Sequence, residues 1–153
     1  MMLSFLERVL KGGPLGPPPN RKERHQLAAA ALLVEAARVD GHFGEDERQS
    51  VEGLLSQHLG LAHGRVCELI EEAEAAAEAA TDWQGFTRVL NDAYEQDERL
   101  ELVEMLWEVI ERDGRVDMLE ASLMRRVPAL LYVSDRDNAE ARRRVRARLG
   151  LDG

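Results

Sequence analysis

Two short stretches hold the side chains best placed to do chemistry. VDGHFGEDERQ, residues 39–49, sets Asp40 ahead of Glu45, Asp46 and Glu47; RDGRVDMLEAS, residues 112–122, sets Asp113 ahead of Asp117 and Glu120. Both follow the pattern D-G-x-φ-x-x-x-E, with φ apolar (Phe43 or Val116), and the second lies 73 positions after the first. A carboxylate at the end of one helix and another in the first turn of the next can converge across a tight bend. With the backbone carbonyls released there, they make an oxygen-rich pocket that suits a hard divalent ion, Ca²⁺ or Mg²⁺. The candidate ligands are Asp40 and Glu47 in the first copy and Asp113 and Glu120 in the second. With two carboxylates per bend, the expected affinity is weak to moderate. The alternating D-x-D-x-D-G ladder of an EF-hand is missing, and no paired His or Cys points to zinc. His42 offers an extra ligand in the first copy, but Arg115 stands in its place in the second.

A plain structural reading covers much of the same pattern. Glycine reverses the chain, Phe43 or Val116 staples the bend to the core, and the Glu completes a capping box at the start of the next helix. Asp117 to Glu120 fits that reading well. In the first copy Gly44 takes the place of the capping side chain, so the box is incomplete. Asp40 and Asp113 are left over, because an acid near a helix C-terminus meets the negative end of the helix dipole. Glu45 and Asp46 read as solvent-facing charges at a helix start. Glu35 and Glu108, equivalent acids in apolar helices, either pair with an arginine or face the cleft between the halves.

Other chemistries find little support. His25, His42, His58 and His63 pair with no recognisable nucleophile, and the serines lack a nucleophile-elbow context. Gly12 and Gly13 belong to a Pro-rich stretch and make no phosphate cradle. Cys67 stands alone, which rules out an internal disulfide and a Cys-based zinc site; it reads as a small packing residue. No enzymatic activity is expected.

Helices must position these acids. The chain has 153 residues, 44% hydrophobic but only 5% aromatic, so its core is built on Ala and Leu rather than on a sheet. Residues 2–10 carry Leu3, Leu6, Val9 and Leu10 at helical spacing, and GGPLGPPPN, residues 12–20, makes a semi-stiff linker. The expected division is a short amphipathic helix over 1–11, the linker over 12–20 and a helical domain over 21–150. From Arg21 onward the pattern predicts one long, all-round apolar helix ending at Gly41, then EDERQSVEGLLSQHLG, then LAHGRVCELIEEAEAAAEAA. The Ala/Glu run from Glu71 to Ala80 suits a solvated helix. Thr81-Asp82 caps WQGFTRVLNDAYEQ, Asp97 starts ERLELVEMLWEVIERDG, Pro128 interrupts MLEASLMRRVPALLYV, and Ser134 or Asp135 starts the last helix. The result is an all-α chain of seven or eight helices with no convincing strand.

The two halves also align. Gly41 meets Gly114, Glu35 meets Glu108 and Glu47 meets Glu120; after one deletion, Leu59-Gly60-Leu61 meets Leu131-Tyr132-Val133. Such a repeat suggests two helical hairpins related by a pseudo-twofold axis.

The segments LLVEAARVDGHFGEDERQSVEGLL and TDWQGFTRVLNDAYEQDERLELVEMLWEVIERDGRVDMLEASLMRRVPALLYVS, and the spacing between them, resemble the TerB-like tellurite-resistance family over about residues 24–148. The resemblance implies an all-α domain of two similar halves. It also implies a metal site formed by Asp40, Glu47, Asp113 and Glu120, and a role in tellurite or other stress resistance. A chain with one thiol has no pair with which to reduce tellurite.

Charge narrows the partners. A net charge of −9 disfavours nucleic acid, whose phosphates need clustered Lys and Arg, and favours cations or basic partners. No run is apolar and long enough to span a membrane, and residues 1–12 lack the basic region of a signal peptide, so the cytoplasm is the expected compartment. The competing function is a protein-interaction adaptor whose D-G turns are purely structural. It would engage a protein partner through the N-terminal helix or through Arg142, Arg143, Arg144, Arg146 and Arg148. The bland alternative pairs those arginines with the Glu-rich helix near residues 71–78. Trp83 and Trp107 are expected in the core, with an interface role for Trp83 if it is exposed.

Overall fold

A computed structural model describes residues 20–39, 41, 43–112 and 114–151. They form seven helices: α1 (Arg21–Arg38), α2 (Glu45–Leu59), α3 (His63–Ala79), α4 (Gln84–Ala93), α5 (Gln96–Glu111), α6 (Met118–Leu130) and α7 (Asp135–Arg148). No strand occurs among the described residues. The expected N-terminal helix and all but Asn20 of the linker lie outside them.

Capping sets the helix starts. At α1, Asn20 Oδ1 accepts from the Glu23 N–H at 2.8 Å while Glu23 Oε1 accepts from the Asn20 N–H at 3.1 Å, a reciprocal box. Asp82 Oδ1 takes the Gln84 N–H at 3.0 Å, so α4 begins just after the anticipated cap. Helix α5 starts at Gln96, slightly before the expected Asp97, with Glu98 Oε1 accepting from the Glu95 N–H. Ser134 Oγ caps α7 through the Asp137 N–H at 3.1 Å. Pro128 does not break α6 before its last turn; the helix ends at Leu130.

Helix α1 is the hub. It packs against α2, α3, α4 and α5, and is buried from Gln26 to Ala37 except at Glu35. Helix α5 packs against α1, α2, α6 and α7. The Ala/Glu run of α3 departs from expectation. Ala73 and Ala76 are fully buried and Ala77 nearly so, while Glu71 and Glu78 face solvent. Alanines at i, i+3 and i+4 form a smooth face, and Ala28 to Ala31 keep α1 slim on every side over one turn, so the two helices can approach closely.

The arginines of α7 also part from expectation, because α7 packs on α5 and α6 rather than on α3. Arg144 and Arg148 bind Glu104 at 3.0 and 2.9 Å, and Arg148 also reaches Glu108 at 2.9 Å. Arg142 and Arg146 meet at Glu111, which is completely buried. Trp107 is core, its indole N–H donating to Asn138 Oδ1 at 2.8 Å.

Tyr132 has φ +59°, close to the +65° of Gly60 with which it aligns. The left-handed conformation costs a Cβ-bearing residue about 1–2 kcal/mol, and Tyr132 is 73% exposed, with little packing to lose. Tyr132→Gly is therefore expected to raise stability by roughly 0.5 kcal/mol, the relieved strain being partly offset by the freer unfolded chain. A urea unfolding midpoint lower than that of the parent protein would contradict this.

Candidate functional site

Each acidic bend is built the same way from the backbone up. Gly41 has φ +91° and Gly114 φ +81°, values that side-chain-bearing residues rarely adopt. The Gly41 N–H donates to the Arg38 carbonyl at 2.8 Å, and the Gly114 N–H to the Glu111 carbonyl at 2.9 Å. Phe43 and Val116 are partly buried against the core, as a staple requires. Arg48 lies over the Phe43 ring at 5.5 Å and pairs with Glu74 of α3, clamping the first bend from outside.

The glutamates sit where the pattern places them, in the first turn of α2 and of α6. Glu47 Oε1 accepts from the Gly44 N–H at 2.8 Å; the reciprocal bond is absent, since glycine offers no side chain. Glu120 Oε1 accepts from the Asp117 N–H at 3.0 Å, and Asp117 Oδ1 takes the Glu120 N–H at 2.8 Å, which completes the second box. Glu45 and Asp46 are exposed. Asp40, His42 and Asp113 lie outside the described residues, and among the described residues no three His, Cys, Asp or Glu side chains come together as a metal cage.

The sequence pattern does not show that the two bends are neighbours. Arg112, immediately before the second glycine turn, reaches across 66 positions and donates from Nη1 to the Asp46 carbonyl at 2.7 Å. Helices α1 and α5, which lead into the bends, pack directly on each other. No local signal announces this tie, because the first copy carries Val39 where the second carries Arg112. Leu151, beyond α7, also lies near the second bend: a Cβ on Gly114 would meet its Cδ2 at 3.6 Å.

The remaining acids divide. Glu108 pairs with Arg148, whereas Glu35 has its own-helix neighbour Arg38 at 3.9 Å and lines a cavity with Trp83, which is half-buried. Cys67 lies 3.5 Å from His63 Nε2 and 3.8 Å from Glu52. Burial, then the Glu52 carboxylate, pushes its thiol above the ordinary range, so it stays protonated near neutrality. Burial lowers His25, helped by Arg21 and Arg24, and pushes the Tyr94 phenol up to about 12. Each shift favours the neutral form.

These features define an all-α helical domain with a doubled, glycine-turned acidic bend. A family model described as "Tellurite resistance protein TerB" matches residues 26–143, more than half of the chain. The chain belongs to the TerB family. No curated protein and no solved structure matches it. Among the described residues no helix is long and apolar enough to cross a membrane.

Proposed function

We propose that this protein is a non-enzymatic, divalent-cation-binding TerB module acting in tellurite or stress resistance, with Asp40, Glu47, Asp113 and Glu120 supplying the oxygens for Ca²⁺ or Mg²⁺. The observation that carries the reading is the Arg112–Asp46 hydrogen bond at 2.7 Å, which brings the second bend beside the first. Carboxylates from two adjoining bends repel one another, and a bound cation relieves that repulsion. Arg112 already supplies one positive group there. The same reading treats α1–α2–α3 and α5–α6–α7 as a repeat: within each trio the first helix packs on the other two, the second packs on the third, and the two first helices pack together.

A second reading, the interaction adaptor with structural turns, draws on the capping bonds of Glu47 and Glu120. Melting in Ca²⁺ and in Mg²⁺ separates the two. Free ion at a hundredfold excess over Kd stabilises by about 2.7 kcal/mol, a rise of roughly 5–10 °C for a chain of this size. The rise should vanish in Asp40→Asn/Asp113→Asn. Arg112→Gln, which removes the resident positive charge, should increase it. An unmoved melting temperature with either ion at millimolar concentration would leave the adaptor.

A further inference from the structure

Between α1, α3, α4 and α6 lies a cavity of about 200 Å³ that the acidic bends do not use. Glu35 of α1, Ala77 of α3, Trp83 and Phe86 at the start of α4, and Arg126 of α6 line it. We propose that it binds a small zwitterion, a free α-amino acid, with the ammonium group toward Glu35, the carboxylate toward Arg126 and the side chain against Trp83 and Phe86.

The charges on the two sides call for this ligand. In the aligned position of the second half, Glu108 meets Arg148 from α7 at 2.9 Å. The first half has the Ala-rich α3 in place of α7, so Glu35 faces Ala77 and empty space where Glu108 faces a guanidinium. Its ion pair with Arg38, at 3.9 Å, lies along its own helix. An ammonium entering the cavity supplies the cation that α3 lacks.

Arg126 presents the opposite need. Its guanidinium lies over the Trp83 ring at 5.1 Å, and no carboxylate among the described residues pairs with it, although all five arginines from Arg142 to Arg148 are paired. A stacked guanidinium keeps its in-plane N–H groups directed outward, where a carboxylate accepts two of them. Asp82, also on the wall, is already engaged by the Gln84 N–H. A simple amine would leave Arg126 unanswered, and a simple acid would add a negative charge beside Glu35.

Size selects further. An apolar cavity of ~150 Å³ holds benzene, so the present space suits a single amino acid rather than a peptide. The indole and phenyl walls favour an apolar side chain.

The full chain titrated with each common amino acid, observed at the two indole N–H resonances, tests this. Trp107, tied to Asn138 in the core, serves as the internal reference. At least one small apolar amino acid should shift the Trp83 resonance saturably and leave Trp107 in place. Arg126→Gln and Glu35→Gln should each weaken that binding by about tenfold or more, as should the ligand's methyl ester or its decarboxylated amine. Unchanged melting of both variants would establish that they fold. No movement of Trp83 at millimolar ligand would overturn the proposal, and so would equal binding of the ester or amine or undiminished binding by Arg126→Gln. The Ca²⁺ and Mg²⁺ response depends on other residues, so neither result bears on the other.

Discussion

Replacing Arg142 and Arg146 together by alanine is expected to lower the melting temperature by roughly 10 °C, the consequence of about 3–5 kcal/mol lost in a chain of this size. The cause is Glu111, whose side chain has no solvent exposure. Arg142 Nε reaches Oε2 at 2.5 Å and Arg146 Nη1 reaches Oε1 at 2.6 Å, so each carboxylate oxygen has its own guanidinium. Truncating both leaves a buried charge without compensation. The reverse change is milder. The arginines are 41% and 30% exposed, so Glu111→Gln lets them turn toward water and should cost less than half as much. Glu111→Leu in the double-alanine background should recover much of the loss, since an apolar side chain suits the site once the arginines are gone. Urea unfolding of these variants isolates the coupling. A double variant within 1 kcal/mol of the parent (roughly the scale of a surface pair) would show that Glu111 is hydrated. Arg144 and Arg148 are about half exposed, and their pairs with Glu104 and Glu108 should each contribute little.

The legible parts of this protein are those that local chemistry dictates. Apolar spacing predicts the helices, and glycine with its following apolar residue and glutamate predicts both bends. The half-box at Gly44 and the full box at Asp117 are as the sequence indicates. Partner choice is less legible. An Ala/Glu run has the same pattern whether its alanines face water or another helix, and here the run packs on α1, whose slim Ala28–Ala31 turn lies some forty residues earlier. The arginines of α7 likewise have acids available on α3 and on α5, and only the packing of α7 against α5 selects Glu104, Glu108 and Glu111. Arg112 reaches the other bend without any motif. The alignment of Tyr132 with Gly60 is legible, but its shared left-handed backbone is not, because tyrosine seldom takes it.

Enlarging the small face of α3 should be comparably damaging. Ala73→Leu/Ala76→Leu replaces two methyls by isobutyl groups at positions with no solvent exposure, on the buried face of α3, which packs on α1 and α2. Overpacking costs about 1–3 kcal/mol per site, and two sites one turn apart strain the same contact, so the loss need not be a simple sum. Helix propensity does not explain such a loss, since Leu is nearly as good a helix former as Ala. Glu71→Leu, on the exposed face of the same helix, is the control and should stay within about 0.5 kcal/mol of the parent. Relief requires α3 to move away from the helices it packs on, α1 among them, and both α1 and α3 lead toward regions proposed above to bind ligands. The end of α1 enters the first acidic bend, while Ala77 and Ala80 near the end of α3 wall the cavity at Glu35. The double variant should therefore lose stability in urea and, in whatever fraction stays folded, show a displaced Trp83 indole resonance with Trp107 unmoved. If it unfolds at the parent's urea concentration, the α1–α3 contact has room that the burial of these alanines denies, and close approach is not what holds the first half together.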